Sequence, residues 1–251
     1  TLVCIQQLLR WRDQLDSPGY SEPPDQTERE TTSGLSSDVD SDKPLGGSWL
    51  AGIKLVLNSP FLLGICAFIL LTATLRTFLY FTQAHIVESA FADPGVRTTL
   101  FALMDLSVNV LTIVLQVFIT GRLLTKYGVS IVLALIPMYV LLSFTGLSIA
   151  PILPVLVAAQ VGTRAGNYSI TRPGREVLFT LLEREKKYKA KNFIDTVVYR
   201  AGDAISGWTF AGLTAIGMGI SGIALIALPF TIGWMAIGYI LGRRHEQDRR
   251  S

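Results

Sequence analysis

From residue 59 to residue 241 the chain is a succession of apolar runs separated by short polar, glycine- or proline-containing breaks. A helix rises 1.5 Å per residue, so about twenty apolar residues match the roughly 30 Å hydrocarbon core of a bilayer. The pattern predicts six helical spans, at about 59–83, 98–120, 130–149, 153–171, 192–216 and 219–241. What precedes them reads differently. Residues 1–11 are apolar but too short to span, and fit the end of a truncated upstream membrane helix flanked by Arg10 and Arg12. Residues 12–47 are rich in Ser, Asp, Glu, Pro, Thr and Gly, with almost no aliphatic side chains. Such a stretch cannot bury enough apolar surface to offset its ordering entropy, so a disordered acidic linker is expected, a passive tether in preference to a phosphoregulatory segment. The domain reading is therefore a helix end at 1–11, a linker at 12–47, a membrane domain at 48–242 and a basic tail at 243–251.

Composition agrees with the membrane class. Half of the residues are hydrophobic, 16% are charged and the mean hydropathy is +0.44, against about 25% charged residues in soluble domains. The net charge of +3 hides an acidic tract at 10–43 followed by a basic remainder. With six spans, the turn carrying Arg122 and Lys126, the block 172–191 and the tail with Arg243, Arg244, Arg249 and Arg250 share one side. The positive-inside rule makes that side, and both chain ends, cytoplasmic. This asymmetry is an orientation signal, not a nucleic-acid footprint. Cys4 and Cys66 stand far apart in apolar surroundings and imply neither a disulfide nor a metal site. The chain opens on Thr1 without a basic leader, so a fragment of a longer protein is expected and a secretory signal is not.

The polar residues inside the spans carry the candidate chemistry. An ionisable group at bilayer depth costs about 2.5–3.5 kcal/mol on insertion scales, so such groups usually face a cavity. Arg76, Tyr80 and Gln83 fall on one face of the first span, and Asp105, Asn109, Thr112 and Gln116 form a stripe on the second. Asp105 is expected to pair with Arg76 in preference to carrying a proton. Gln160, Arg164 and Tyr168 share a face of the fourth span; Asp195 and Tyr199 lie one turn apart on the fifth, where Arg200 and Asp203 are spaced for an intrahelical pair. Arg172 and Arg175 are placed at the mouth of the cavity, and the lysines that follow on a solvated surface near lipid headgroups. Glycines and small residues at four-residue spacing (162/166, 202/206, 207/211, 238/242) predict close helix packing. Pro137, Pro173 and Pro229 are candidate kinks. No P-loop, HExxH or GxSxG pattern occurs, and His85 and His245 are expected at opposite membrane faces; neither an enzyme nor a cofactor is expected.

Two passages resemble known families. Gly121-Arg122-Leu123-Leu124-Thr125-Lys126-Tyr127-Gly128 is similar to the gating motif between the second and third helices of each half of major facilitator superfamily transporters, with Thr125 at its acidic position. The run 172–179, RPGREVLF, followed by KAKNFID at 189–195 and Tyr199-Arg200, resembles the ATP:ADP antiporter (nucleotide translocase) family of bacteria and plastids. The likeness extends over about 59–243 and is densest at 172–203. It implies the second six-helix half of a twelve-helix transporter in the inner membrane, partnered by an N-terminal half. Arg175, Lys191, Asp195 and Arg200 are the matching positions.

The expectation is exchange of a small anionic solute, most readily a nucleotide such as ATP or ADP, by alternating access. Arg76, Arg164 and Arg200 would meet phosphates, and Tyr80, Tyr168 or Tyr199 a base. The alternatives are a proton-coupled permease using Asp105 or Asp195, and a transporter-like membrane anchor or sensor. Helices with one polar face need a partner to cover it, so the isolated chain is expected to dimerise or aggregate in detergent.

Overall fold

The computed structural model describes residues 56–181 and 184–248; the expected upstream helix end at 1–11, the acidic linker at 12–47 and the last three residues of the tail lie outside them. The described residues are helical throughout, without a strand. Ser59 and Asp93 start the first two helices, α1 (Pro60–Ala90) and α2 (Pro94–Val114): each side chain accepts a backbone N–H of the first turn, and each is followed by a proline whose missing N–H costs nothing there. A π-helical turn, Leu115–Thr120, joins α2 to α3 (Gly121–Ile149). Next come α4 (Leu153–Gly166), a π turn at Asn167–Thr171 and α5 (Arg172–Leu178). The last group is α6 (Arg184–Phe193), a π turn at Ile194–Val198, α7 (Tyr199–Ala215) and α8 (Ile220–Asp248).

Three helices are long and apolar enough to cross a membrane: Pro60–Ala90, the continuous run Pro94–Ile149 and Ile220–Asp248. The run Pro94–Ile149 is broken at Gly128, whose φ of 78° lies in the left-handed region. A Cβ there would also stand 2.3 Å from Glu246 Oε1. The same Glu246 oxygen accepts the Ser130 N–H at 3.1 Å and the Ser130 hydroxyl at 2.7 Å, so a carboxylate from α8 caps the helix that restarts after the break. Replacing Ser130 by Ala removes one charge-assisted bond and is expected to lower stability by about 1.5–3 kcal/mol, read as a lower unfolding temperature in detergent.

α8 lies along α3, and α1 packs against α8, α7 and α4; α4 also meets α3 and α2. The close approaches fall where small residues were expected. A Cβ on Gly242 would meet the Ser130 backbone at 2.2 Å, one on Gly238 the Leu133 carbonyl at 3.0 Å, and one on Gly162 the Tyr139 hydroxyl at 2.3 Å. Phe68 and Trp234, with ring centroids 5.6 Å apart, fill the space between α1 and α8. Pro137 and Pro229 sit inside α3 and α8 without ending them, and Pro173 occupies the first turn of α5.

The final helix departs from the expected boundary. α8 continues past 241 to Asp248, because Gly242 and His245 remain buried against the bundle, with His245 Nε2 3.3 Å from the Thr180 hydroxyl. Arg243 and Arg244 are exposed on the other side of the same turns. At the flanks, α2 buries only Met104 and Val108, and α7 only Gly202, Ser206 and Phe210. Large apolar groups such as Val117, Ile205 and Trp208 (82% exposed) are left facing outwards. An apolar surface of this extent is unfavourable in water and suits lipid or another protein surface.

Candidate functional site

Where α1, α2, α4, α5, α6 and α7 approach one another, several charged residues of the apolar spans find partners. Arg76, in the middle of α1, donates to the Tyr199 hydroxyl at the start of α7, with its guanidinium carbon 6.0 Å from the ring centroid. Arg164 of α4 pairs with Asp105 of α2 at 2.6 Å. Arg175 of α5 meets Asp195 of the last π turn at 3.2 Å, and Lys191 of α6 meets Glu176 of α5 at 2.7 Å. Arg172 lies over the ring of Tyr168, 4.6 Å from its centroid, in cation–π geometry.

The π turns shape this region. A π turn leaves carbonyls out of the usual i to i+4 ladder, and these need other donors. In the turn Asn167–Thr171 the carbonyls of Tyr168 and Ser169 accept from Gln116 Nε2 at 3.3 Å and from Thr120 Oγ1 at 2.9 Å, both reaching across from the α2 side. Gln160, 4% exposed, donates to the Leu79 carbonyl at 3.0 Å and ties α4 to α1. The polar stripes of two spans thereby serve as helix-to-helix ties that set the position of Arg164, Tyr168 and Arg172.

Two cavities open here, and Arg76 lines both. The first, about 370 Å³, brings Arg76, Arg172, Arg175 and Lys191 together with two carboxylates among the described residues, Glu176 and Asp195. The second, about 510 Å³, has Arg164 and Asp105 beside Tyr80, Phe101, Met104 and Tyr168. Both volumes fall within the range of small-molecule sites. Unused hydrogen-bonding capacity remains in each. Thr171 Oγ1 and Arg175 Nε are buried without a partner among the described residues in the first, and Thr163 Oγ1 is in the same condition in the second.

Of the residues expected from sequence, Arg76, Tyr80, Asp105, Arg164, Tyr168, Arg175, Lys191 and Asp195 line one cavity or the other. Three do not. Asn109 is exposed on α2, Arg200 is exposed on α7 with no ion pair among the described residues, and Asp203 accepts from Thr77 Oγ1 at 3.4 Å instead of pairing with Arg200. Asp105 takes Arg164 as its partner, not Arg76, because α2 packs on α4. Glu176 and Thr171 were missed. A lone carboxylate beside arginines and a hydroxyl in a helix carry no pattern that separates them from ordinary surface and packing residues.

The stretch 121–128, which resembles a gating motif, lies elsewhere, around a third cavity of about 490 Å³ that Lys126 and Gly128 line together with His245 and Glu246. Gly121, Arg122 and Lys126 are exposed, with Lys126 Nζ 5.3 Å from the Tyr127 ring centroid. Thr125, at the motif's acidic position, bonds only to the carbonyls of Gly121 and Arg122, while Glu246 from α8 supplies a carboxylate beside Gly128. His85 stacks on Phe210, with ring centroids 5.9 Å apart. Comparison of the chain with family models, with curated proteins and with solved structures gives no match.

Proposed function

We propose that this chain is the C-terminal six-helix half of a major-facilitator-type transporter that exchanges an anionic solute, a nucleotide of the ATP/ADP kind. The observation that carries the reading is Arg76, shared by a strongly cationic cavity and a wider one with aromatic and apolar walls. A nucleotide has the matching division, a polyanionic end and a flat apolar end. Guanidinium groups bind phosphate oxygens through two parallel hydrogen bonds, and tyrosine rings stack on bases.

In this reading the chain crosses six times. The 56-residue run Pro94–Ile149 would be about 84 Å long as a straight rod, nearly three hydrocarbon thicknesses, and it turns at Gly128; it makes two passes. The helical stretches 153–178 and 184–215 make one pass each in this reading, with Arg164, Arg172, Arg175, Glu176, Lys191 and Asp195 lining the cavities, and α1 and α8 make the remaining two. Both ends then lie in the cytoplasm, with the basic turns on that side. An N-terminal half covers the exposed sides of α2 and α7, and substrate sits between the halves near the midplane.

Competition for labelled ATP uptake into proteoliposomes of the full-length protein tests the assignment. Excess ADP should suppress uptake at least about tenfold more effectively than adenosine, because the phosphates engage the cations. Equal suppression by adenosine, or none by ADP, contradicts it. Uptake driven by a pH gradient without regard to nucleotide inside the vesicle would favour a proton-coupled permease.

A further inference from the structure

We infer that the smaller cavity is the phosphate subsite, and that Asp195 and Glu176 are its resting counter-anions, displaced by the incoming phosphate. The inference rests on the anionic-solute reading above and adds to it the location and the exchange of partners. Arg175 is the informative residue. Its Nη2 stands 3.2 Å from Asp195 Oδ1, longer than the 2.7–2.9 Å usual for a charge-assisted bond. Its Nε is buried and has no acceptor, although a guanidinium and a carboxylate can form two parallel bonds. One helical turn earlier, Thr171 is 3% exposed and its hydroxyl also lacks a partner. Both residues line the same cavity.

The site is thus incompletely satisfied by its own acids. A phosphate, with three oxygens on one tetrahedral face, fits what remains: two bonds from Arg175 and one from Thr171. Asp195 loses its hold on Arg175 when that happens. Lys191 stands with Glu176 at the same cavity, 2.7 Å apart and partly exposed, so its ammonium can turn to a second phosphate group. Among the described lining residues, two carboxylates stand against four cations, which limits the repulsion among the cations while the cavity is empty.

The two kinds of residue should therefore have opposite signs. If the acids compete with the ligand, removing one tightens binding; if they hold the site in shape, removing one weakens it. The test is equilibrium binding of inorganic tripolyphosphate to the purified full-length protein in detergent, by titration calorimetry. Asp195→Asn, which keeps the shape of the side chain, should tighten binding by about three- to tenfold, and Glu176→Gln should act in the same direction. Arg175→Gln should weaken binding by more than about tenfold. Gel-filtration profiles matching the unmodified protein establish that the variants are folded.

Weaker or unchanged binding in both folded acid variants overturns the inference, as does the absence of tripolyphosphate binding by the unmodified protein and Asp195→Asn alike. The wider reading fails separately. A protein with the opposite-sign pattern but no solute uptake would keep the subsite and lose the transporter. A protein that exchanges nucleotides while Asp195→Asn binds no tighter would keep the transporter and lose the counter-anion role.

Discussion

Replacing Arg76 by Ala should reduce nucleotide uptake by about a hundredfold or more while leaving the protein folded. Arg76 is the residue common to both cavities, so its loss removes a cation from the smaller cavity and the link to the wider, aromatic one together. Truncating one partner of a hydrogen-bonded charge contact costs about 2–5 kcal/mol in binding, and every 1.4 kcal/mol is tenfold. The Tyr199 hydroxyl loses its donor but keeps access to the cavity it lines, so the folding cost is small beside the functional one. Arg76→Lys restores the charge without the planar fork and should recover only part of the activity. Uptake rates, normalised to monodisperse protein, decide the matter; activity close to that of the unmodified protein in Arg76→Ala would remove the central residue from the site.

The second large effect is structural. Gly242→Val should lower stability by about 3 kcal/mol or more and abolish recovery of monodisperse protein. A Cβ at 242 stands 2.2 Å from Ser130 Cα and 2.5 Å from Ser130 N, and backbone atoms cannot rotate away as a side chain can. α8 would have to move off α3, breaking the Glu246 contacts with Ser130 and separating Gly238 from the Leu133 carbonyl. Overpacking that a core cannot absorb by rotamer changes costs about 1–3 kcal/mol, and more where the backbone must shift. Gly233→Ala is the control. Nothing lies within 4 Å of its Cβ position, and alanine is favoured over glycine in a helix by about 0.8–1.0 kcal/mol. That variant should match the parent or exceed it in unfolding temperature. Normal recovery of Gly242→Val would show that the α3–α8 contact is looser than described.

Much of this was readable in the apolar pattern, and the reason is length. A run of about twenty apolar residues has few alternatives to a helix, since a helix satisfies its own backbone groups. Gly162, Gly238 and Gly242 were legible as contact points because close backbone approach needs a missing side chain. Azimuth was less legible. Tyr199 and Arg200 are consecutive, so they point about 100° apart, and the sequence does not say which faces the cavity. Packing of α7 on α1 decides it, bringing Tyr199 to Arg76 and leaving Arg200 exposed.

Pairing across helices was harder still. Asp105 could be placed on a polar stripe, but Arg76 and Arg164 were both reachable partners until α2 was found against α4. The π turns were invisible, because widening a turn by one residue requires no particular side chain. They matter because Asp195 and Thr171, both on π turns, line the smaller cavity. Glu246 shows the same limit at the stretch 121–128 that resembles a gating motif. Thr125 leaves that motif without its acid, and the carboxylate beside Gly128 comes from more than a hundred residues downstream, a separation of 116 between Ser130 and Glu246.

The most direct measurement is counter-exchange in proteoliposomes of the full-length protein, with labelled ATP outside and ADP either preloaded or absent inside. The account predicts rapid uptake that requires internal ADP and collapses in Arg76→Ala and Arg175→Gln. Uptake indifferent to internal nucleotide, or no uptake by protein demonstrated to be folded, would contradict it.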